Sequence, residues 1–186
     1  MSTSFALFET PIGVCSLVWK AETVVGLRLP EENATTTRAR LKRRWPDAEE
    51  QVPDGAIKAV IDRVLQLLAG EPVDLLDVPL DFGDAPDFHK RIYEIARTIP
   101  PGQTMTYGEI AKRLGVPHES REVGQAMGRN PIAIIMPCHR VLGADGKMGG
   151  FSATGGVAIK RRILEIEGAA AVGAGPLFAG LERRNA

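Results

Sequence analysis

Apolar and polar residues alternate along the first thirty positions of the chain in three short runs. The runs cover residues 5–9, 14–19 and 24–29, and each has the two-residue period of a strand with one buried face. The sequence Thr10-Pro11-Ile12-Gly13, between the first two runs, is typical of a turn. This pattern predicts an antiparallel meander of three strands.

The next part of the chain has the periodicity of helices instead. Asn33 is placed to cap a helix over residues 34–45, whose many arginine and lysine side chains predict a solvated basic face. Asp54 is placed to start a second helix, which carries its apolar side chains on one side and ends at Gly70. Together with the meander, these helices predict a small N-terminal α/β domain with an antiparallel sheet over residues 1–84.

A stretch rich in proline, glycine and aspartate, residues 78–86, predicts the passage to a second domain. Beyond it, residues 88–99 have helical periodicity that stops at a Pro-Pro-Gly sequence. Thr106 and Glu109 then have the spacing of a capping box, which opens a helix that Gly115 closes. The second half of the chain is therefore predicted to begin with helices.

Another helix follows after a tight turn. Ser120 is placed to cap it, and residues 121–128 form it. Two short helices joined in this way have the outline of a helix-turn-helix, whose second helix enters DNA. In that second helix Gly124 and Gly128 fall on one face with Ala126 nearby. Glycine disfavours helices, so these residues predict a face that something approaches closely.

The remaining pattern predicts a buried strand over residues 131–136, a hairpin around Asp145-Gly146 and a glycine-rich loop over residues 151–156. A last helix over residues 157–168 is predicted to turn its isoleucine side chains inward. The charged side chains that we expect to face outward from it are Lys160, Arg161 and Arg162.

The whole pattern predicts an α/β (α+β) chain. The N-terminal domain is followed by a helical, winged-helix-like domain over residues 85–168 and a flexible tail over residues 169–186. Charge is divided between the domains, although the net charge is zero: residues 1–84 carry 9 Lys/Arg against 14 Asp/Glu, a net −5, and residues 85–168 carry 12 against 8, a net +4. The basic half predicts contact with a polyanion such as DNA.

Composition narrows the class of protein further. With 44% hydrophobic and 25% charged residues, the chain is expected to be soluble and globular. We expect it in the cytoplasm, because it has no signal-peptide pattern and no apolar run long enough to cross a bilayer. Cys15 and Cys138 are expected to be free thiols there, Cys15 as a small core residue. With three histidines and no CxxC or HxxxH spacing, no metal site is expected.

The apolar run that ends at residue 136 is followed by four residues, Pro137 to Arg140, that together could support a chemical reaction. Pro137 lacks an amide donor and is expected to turn the chain, so that Cys138 points out of the strand. His139 and Arg140 would supply positive potential, which favours the reactive thiolate. This segment predicts a cysteine nucleophile.

Adjacent side chains of an extended segment point to opposite faces, so His139 is not expected to bond Cys138 directly. A bend, or a water between thiol and imidazole, would be needed. The carboxylate best placed in the sequence to orient His139 is Glu167, at the end of the last helix.

The sequence around these residues resembles a known family. The run RNPIAIIMPCHRVLGADGKMGGF, preceded by TYGEIA and SREVGQAMG and followed by a helix that ends in ILEIEG, strongly resembles the O6-alkylguanine-DNA alkyltransferases. These proteins are also called methylated-DNA–protein-cysteine methyltransferases. The resemblance covers residues 87–168, and the first 84 residues share only the TPIG turn and the strand pattern.

The resemblance implies a DNA-repair protein. A guanine alkylated on O6 would be flipped out of double-stranded DNA, and Cys138 would take the alkyl group in a single irreversible reaction. His139 would be a water-mediated base and Glu167 the carboxylate that orients it, while Tyr107 would protonate or hydrogen-bond the departing purine. The family relationship implies a monomer that needs no cofactor.

The resemblance also implies how the protein meets DNA. Arg121 would fill the space left by the flipped base, and Asn130 would link the second helix of the pair to the active-site turn. That helix would lie against the minor groove. The further residues implied to contact DNA are Thr106, Gly124, Ala126 and Gly128.

The loop after the predicted hairpin departs from the family pattern. Most members have a shorter loop, whereas here residues 151–154 precede Gly155-Gly156, an apparent extra two residues. Phe151 would still wall the base pocket, and Ser152 or Thr154 would offer a hydrogen bond to the base. The residues implied to line the pocket are Met127, Phe151, Ser152 and Thr154. Which alkyl groups the pocket accepts is left open.

Two functions of other classes remain as alternatives. A non-enzymatic lesion binder, like the alkyltransferase-like proteins, would share the DNA-binding half but lack the acceptor cysteine, and Cys138 argues against it. A thiol hydrolase using Cys138 and His139 would leave the helix-turn-helix and Arg121 without a purpose. A Cys138 that is merely buried would leave the Pro-Cys-His-Arg sequence unexplained.

Overall fold

The computed structural model of the chain describes residues 2–148 and 151–169. Its N-terminal sheet contains β1 (Thr3–Thr10), β2 (Gly13–Lys20) and β3 (Thr23–Arg28), which pair antiparallel in chain order. The predicted meander is confirmed. The short strand β4 (Glu49–Glu50) joins β1 in parallel and gives the order β3-β2-β1-β4.

Two helices pack on opposite faces of this sheet. Helix α1 (Ala34–Arg44) places Leu41 in a small cluster with Val18, whereas α2 (Gly55–Leu68) joins the main core with Leu17. Because successive strand residues point to opposite faces, the neighbours Leu17 and Val18 belong to different clusters. The sheet is therefore covered on both sides.

The ends of these helices agree in part with the expected caps. Asn33 Oδ1 accepts from the Thr36 amide at 2.8 Å, as predicted for the start of α1. Asp54 occupies the N-cap position of α2, but its side chain makes no capping hydrogen bond. Gly70 follows the end of α2 with a φ of +94°, a value that favours glycine.

The second half of the chain is mainly helical. Helices α3 (Asp87–Arg97), α4 (Tyr107–Arg113) and α5 (Ser120–Gly128) pack against one another, and α6 (Gly156–Ile166) is the last helix of the described residues. The predicted pair of helices is therefore present. The fold is a mixed α/β structure with an antiparallel-rich sheet and a helical C-terminal part.

The helix starts of this pair differ from each other. Thr106 and Glu109 form the predicted capping box: Thr106 Oγ1 accepts from the Glu109 amide at 3.1 Å, and Glu109 Oε2 accepts from the Thr106 amide at 2.6 Å. Ser120 is not a cap, because it is already helical and follows Glu119 in the N-cap position. Gly115, with a φ of +77°, follows the end of α4 as predicted.

The segment predicted as a strand over residues 131–136 is a pair of tight turns instead. Within this segment only Ile132 pairs with β3. The Leu27 amide donates to the Pro131 carbonyl oxygen at 3.0 Å, and the Leu27 carbonyl oxygen accepts from the Ala133 amide at 3.0 Å. One of these turns is centred on Ile134, whose φ of +68° is rare for a branched side chain. A buried apolar run has the same composition in either structure, so the sequence pattern could not separate them.

The predicted hairpin around Asp145-Gly146 has no second strand among the described residues, although the Gly143 amide donates to the Lys147 carbonyl oxygen across the turn at 2.7 Å. Strand β6 (Val141–Leu142) pairs in parallel with β5 (Met105–Thr106), and a 3-10 turn at Ala144–Gly146 follows. Among the described residues no strand returns beside β6. The Asp-Gly sequence marked a turn correctly, and residues 149–150 of the predicted second arm lie outside the described residues.

A single core cluster contains residues of both predicted domains, among them Leu17, Val64, Ile92 and Ile163. The division at residue 84 stays a prediction. Within the described ranges no helix is long and apolar enough to cross a membrane. The tail predicted over residues 169–186 lies outside the described residues, except for Ala169, which is buried.

Candidate active site

Cys138 begins a 3-10 turn, Cys138–Arg140, directly after a tight turn at Pro137. The Cys138 amide donates to the Met136 carbonyl oxygen at 2.8 Å, and Pro137 has a φ of −83° and a ψ of 63°. These values describe an inverse γ-turn, which proline favours because its φ is fixed. The predicted bend at Pro137 is confirmed, and Cys138 lies at its end with 7% exposure.

Asn130 connects the end of α5 to this turn. Its Nδ2 donates to the carbonyl oxygens of Met136 at 2.9 Å and Ile132 at 3.2 Å, and lies 3.4 Å from Cys138 Sγ. Its Oδ1 accepts from the Ile132 amide at 2.9 Å. An N–H group beside the sulfur stabilises the thiolate more than the thiol. The geometry thus has the link that the sequence resemblance implied for Asn130.

His139, Arg140 and Glu167 form a buried cluster beside the turn. His139 Nε2 lies 3.0 Å from Glu167 Oε1, and Arg140 donates to both carboxylate oxygens at 2.8 and 2.9 Å. Arg140 also donates to the Ile99 carbonyl oxygen at 2.6 Å. The Glu167 side chain is 0% exposed. The structure therefore brings His139 and Glu167 together, and adds Arg140 as a second partner of the carboxylate.

Burial and charge decide the protonation states in this cluster. Burial lowers the pKa of His139, and Glu167 offsets this only in part, so the imidazole is neutral near neutral pH. Burial alone would raise the pKa of Glu167, but His139 and Arg140 lower it to about 2. When Nε2–H donates to the carboxylate, Nδ1 of His139 is free to accept a proton.

Cys138 rests as a thiol in this environment. Burial raises the pKa of Cys138, and hydrogen bonds together with the charge of Lys160 oppose that only in part. The expectation that His139 and Arg140 provide positive potential at the sulfur was wrong. His139 is neutral, and Arg140 is paired with Glu167. The cation that acts on the sulfur is Lys160.

Lys160 was predicted to face outward from α6, and this too was wrong. It is 1% exposed, its Nζ donates to the Val141 carbonyl oxygen at 2.7 Å, and the Nζ lies 5.8 Å from the centroid of the Phe151 ring. A lysine beside two arginines is usually solvated, which is why the prediction failed. Its helical spacing to Ile163 and Leu164, which are both fully buried, was the signal that could have found it.

A cavity of about 480 Å³ opens onto Cys138. All four predicted base-pocket residues line it: Met127, Phe151, Ser152 and Thr154. The loop is fixed at two points, because Ser152 Oγ donates to the Gly128 carbonyl oxygen at 2.9 Å and the Thr154 hydroxyl donates to Glu31. Sequence reasoning missed that Arg28, Glu31 and Arg44 of the N-terminal part also line the cavity. Their distance along the chain gave no signal of this contact.

Helix α5 presents its glycines outward. A Cβ added to Gly124 or Gly128 would meet no described atom outside the helix within 4 Å, and Arg121 is exposed. Ala126 does not share this face: it is 0% exposed, and its carbonyl oxygen accepts from the Tyr93 hydroxyl at 2.9 Å. Assigning Ala126 to the DNA face was wrong, because helix positions two residues apart point to nearly opposite sides.

Comparison with known proteins identifies the family. Residues 87–169 match the family model of the 6-O-methylguanine DNA methyltransferase DNA-binding domain. A methylated-DNA–protein-cysteine methyltransferase of Mycobacterium tuberculosis is 39% identical over 164 residues, 88% of this chain and 91% of the relative. The chain belongs to this family. A relative of the same name from Methanosarcina acetivorans is 37% identical over 88% of this chain and 97% of its own length.

Solved structures of the family share the fold. The O6-methylguanine methyltransferase of M. tuberculosis is 37% identical, with a TM-score of 0.73 over 89% of this chain and 93% of its own. The M. tuberculosis protein OGT in complex with DNA is 36% identical, with a TM-score of 0.73 over 91% and 97%. The family relationship therefore includes the N-terminal sheet, where the sequence pattern resembled the family only loosely.

The roles that the family resemblance implied for Tyr107 and Thr106 have less direct support from the geometry. Tyr107 begins α4 half-buried, and it is not one of the residues that line the Cys138 cavity. Burial raises the pKa of Tyr107, and a charge on Cys138 raises it further, so the phenol keeps its proton. The Thr106 hydroxyl is occupied by Glu109 in the capping box. The geometry leaves both roles as hypotheses.

The second cysteine and the possible metal ligands are the remaining candidates for chemistry. Cys15 is 0% exposed in the core, where burial raises its pKa to about 12, and its interpretation as a small core residue is confirmed. In residues 2–148 and 151–169 no three or more His, Cys, Asp or Glu side chains group in a way that would hold a metal ion.

Proposed function

We propose that the chain repairs O6-alkylguanine in double-stranded DNA by taking the alkyl group onto Cys138 Sγ. The observation that carries the proposal is a nearly buried thiol on the wall of a 480 Å³ cavity, beside Asn130 and the His139–Glu167 pair. The name shared by the relatives describes this reaction, and one solved relative is in complex with DNA.

The reaction begins with the loss of the thiol proton. A bridging water passes the proton from Cys138 Sγ to Nδ1 of His139. Glu167 is already ionised and stabilises the imidazolium that forms. The Asn130 amide and the ammonium group of Lys160 favour the thiolate, which would otherwise be costly to bury.

The thiolate then displaces guanine from the alkyl carbon. A C–S bond forms while the bond between that carbon and O6 breaks, and the electron pair stays on guanine. Tyr107, whose raised pKa keeps its proton available, is the candidate donor to the purine. The proton held by His139 then replaces the one given by Tyr107. The products are S-alkylated Cys138 and neutral guanine.

Helix α5 is the element that we assign to DNA. Its outward face contains Gly124 and Gly128, where an added Cβ would meet no described atom outside the helix within 4 Å, so the helix backbone can approach a minor groove closely. Arg121 is exposed at the start of this helix and is the candidate to fill the space left by the flipped base. Flipping costs a few kcal/mol, which such an insertion offsets.

The bond that is formed limits each molecule to one reaction. A thioether has neither an acyl carbon for water to attack nor a sulfur that exchanges with thiols. The reaction needs no cofactor, because the acceptor is a side chain of the protein. We further propose that the protein is a cytoplasmic monomer; its two free cysteines support a reducing compartment.

Transfer of a labelled methyl group tests this function. A duplex with O6-methylguanine labelled on the methyl group is mixed with wild type, Cys138→Ala and Cys15→Ala. The label is expected on wild type and Cys15→Ala but not on Cys138→Ala, and activated esters are expected to remain intact. Label released as a free alcohol, or rapid ester hydrolysis by Cys138, would instead identify a thiol hydrolase.

A further inference from the structure

A second cavity, of about 240 Å³, lies in the N-terminal part beside the Cys138 cavity. Four arginines line it, and we call it the arginine pocket: Arg28, Arg40, Arg43 and Arg44. Glu31 is the one carboxylate in its wall. Arg28, Glu31 and Arg44 line the Cys138 cavity as well, so the two cavities are adjacent.

The charge of the arginine pocket is not balanced within the described structure. Glu31 is paired with Arg40 at 2.7 Å and accepts the Thr154 hydroxyl, and its side chain is 5% exposed. Among the described residues, the guanidinium groups of Arg28, Arg43 and Arg44 have no hydrogen bond or ion pair to a carboxylate. One carboxylate thus faces four cations.

Other arginines of the same part of the chain are paired. Arg38, also on α1, makes two hydrogen bonds of 2.7 Å to Glu50, and Arg63 on α2 pairs with Asp77 at 2.6 Å. Residues 1–84 have more acidic than basic side chains, 14 against 9. Carboxylates are therefore plentiful in this half, and the excess of arginine over carboxylate around the pocket, four against one among the described lining residues, is local.

The arginines of the pocket also oppose one another. Partial burial lowers the pKa of Arg28, as do the neighbouring Arg40, Arg44 and Arg43, while Glu31 acts in the opposite direction. Such a group of cations is stabilised by an anion with several oxygens. The guanidinium fork matches a phosphate better than it matches a single-oxygen ligand.

We propose that the arginine pocket binds a backbone phosphate of the DNA strand whose base occupies the Cys138 cavity. This inference rests on the proposed function. In a strand that delivers a base to the first cavity, each flanking phosphate is separated from that base by one sugar, and the neighbouring pocket offers the cations. The basic face that the sequence predicted on α1 thus becomes a second DNA contact, separate from α5.

The test compares duplex binding at several salt concentrations, with Cys138→Ala in every protein so that no reaction occurs. The pocket variant is Arg43→Gln with Arg44→Gln; both side chains are exposed, so folding is expected to be intact. The control is Arg38→Gln with Arg63→Gln, which removes the same charge outside the pocket. A thermal melt of each protein verifies the fold.

We expect the pocket variant to bind the duplex about tenfold more weakly at low salt, and its slope of log affinity against log salt to fall by about 1. The control pair is expected to change both quantities less. Replacing Arg43 and Arg44 by lysine should restore most of the slope, since the charge is kept. Equal slopes for the pocket variant and the control would overturn the proposal.

A second arm separates DNA phosphate from free phosphate. Inorganic phosphate is titrated against each protein without DNA, with chloride at equal ionic strength as reference. If phosphate raises the melting temperature of the protein with an intact pocket and the duplex slope is nevertheless unchanged by Arg43→Gln with Arg44→Gln, the pocket holds free phosphate and the DNA contact is excluded. If the wild-type protein transfers no methyl group from DNA, it is the proposed function that fails.

Discussion

At the scale of residues, the active site depends on a carboxylate that is ionised while completely buried. Glu167 accepts from Arg140 and lies within hydrogen-bond distance of His139, and these partners lower its pKa to about 2 against the effect of burial. One side chain thereby contacts His139, the proposed base, and neutralises Arg140. Removing its charge leaves Arg140 buried without a counter-ion, which is costly.

Glu167→Gln is therefore expected to lower the free energy of unfolding by about 3–5 kcal/mol at neutral pH. Urea denaturation followed by circular dichroism measures this. The control is Glu165→Gln, an exposed position on the same helix, for which a change within about 0.5 kcal/mol is expected. A loss for Glu167→Gln as small as the one expected for Glu165→Gln would show that the buried cluster contributes little to stability.

The same cluster predicts a dependence on pH. The pKa of Glu167 is lower in the folded state than its ordinary value of 4.5, so ionised Glu167 stabilises the protein above that value. This stability is lost as the pH falls from about 4.5 to about 2. Wild type should lose stability more steeply than Glu167→Gln in this window; parallel curves would contradict the assignment.

At the scale of elements, α5 combines a buried face with an open one. Val123, Ala126 and Met127 are buried, whereas Gly124 and Gly128 have open space where a side chain would lie. Glycine weakens a helix, so its presence at two outward positions is a cost to stability. The proposed close approach of DNA to the helix backbone would account for this cost.

Replacing Gly124 and Gly128 by alanine should therefore stabilise the protein and weaken its binding to DNA. Helix propensity predicts a gain of about 1–2 kcal/mol for the pair. Thermal melts and duplex titrations in Cys138→Ala protein measure the two effects. Gly108→Ala on α4, where the new Cβ would lie 3.9 Å from Thr106 Oγ1, is the control for propensity alone. Unchanged duplex affinity in the double variant would remove α5 from the DNA interface.

The elements that sequence could predict are those with local causes. The meander, the Asn33 cap and the Thr106–Glu109 capping box depend on neighbours within a few residues. The segment over residues 131–136 and the strand β6 depend on partners far along the chain, Leu27 and β5, which no local pattern contains. Composition could not separate a buried strand from tight turns in the first segment, and it contained no sign of the β5 partner of the second.

The same distinction applies to the active site. Cys138, His139 and Glu167 were found because the Pro137 turn and the end of α6 have clear sequence signals. The burial of Lys160 and the contribution of Arg28 and Arg44 to the cavity were missed. These are consequences of packing between segments, and the charge of a side chain by itself predicted exposure.

At the scale of the whole molecule, the two halves of the chain complete one cavity. Asn130, Cys138 and the loop at Phe151 come from the second half, and Arg28 and Arg44 from the first. Thr154 joins them through its hydrogen bond to Glu31. The N-terminal part is therefore expected to affect the substrate as well as the stability of the fold.

One molecule of the protein is expected to remove one alkyl group and to keep it on Cys138. The most direct test is to incubate the protein with an excess of duplex containing O6-methylguanine, then to measure the intact mass, the position of the adduct by peptide sequencing, and the amount of guanine restored. We expect one added methyl group per chain, located on Cys138, and restored guanine equal to protein on a molar basis. Several equivalents of guanine per chain, or a methyl group on Cys15, would show that Cys138 is not a single-use acceptor.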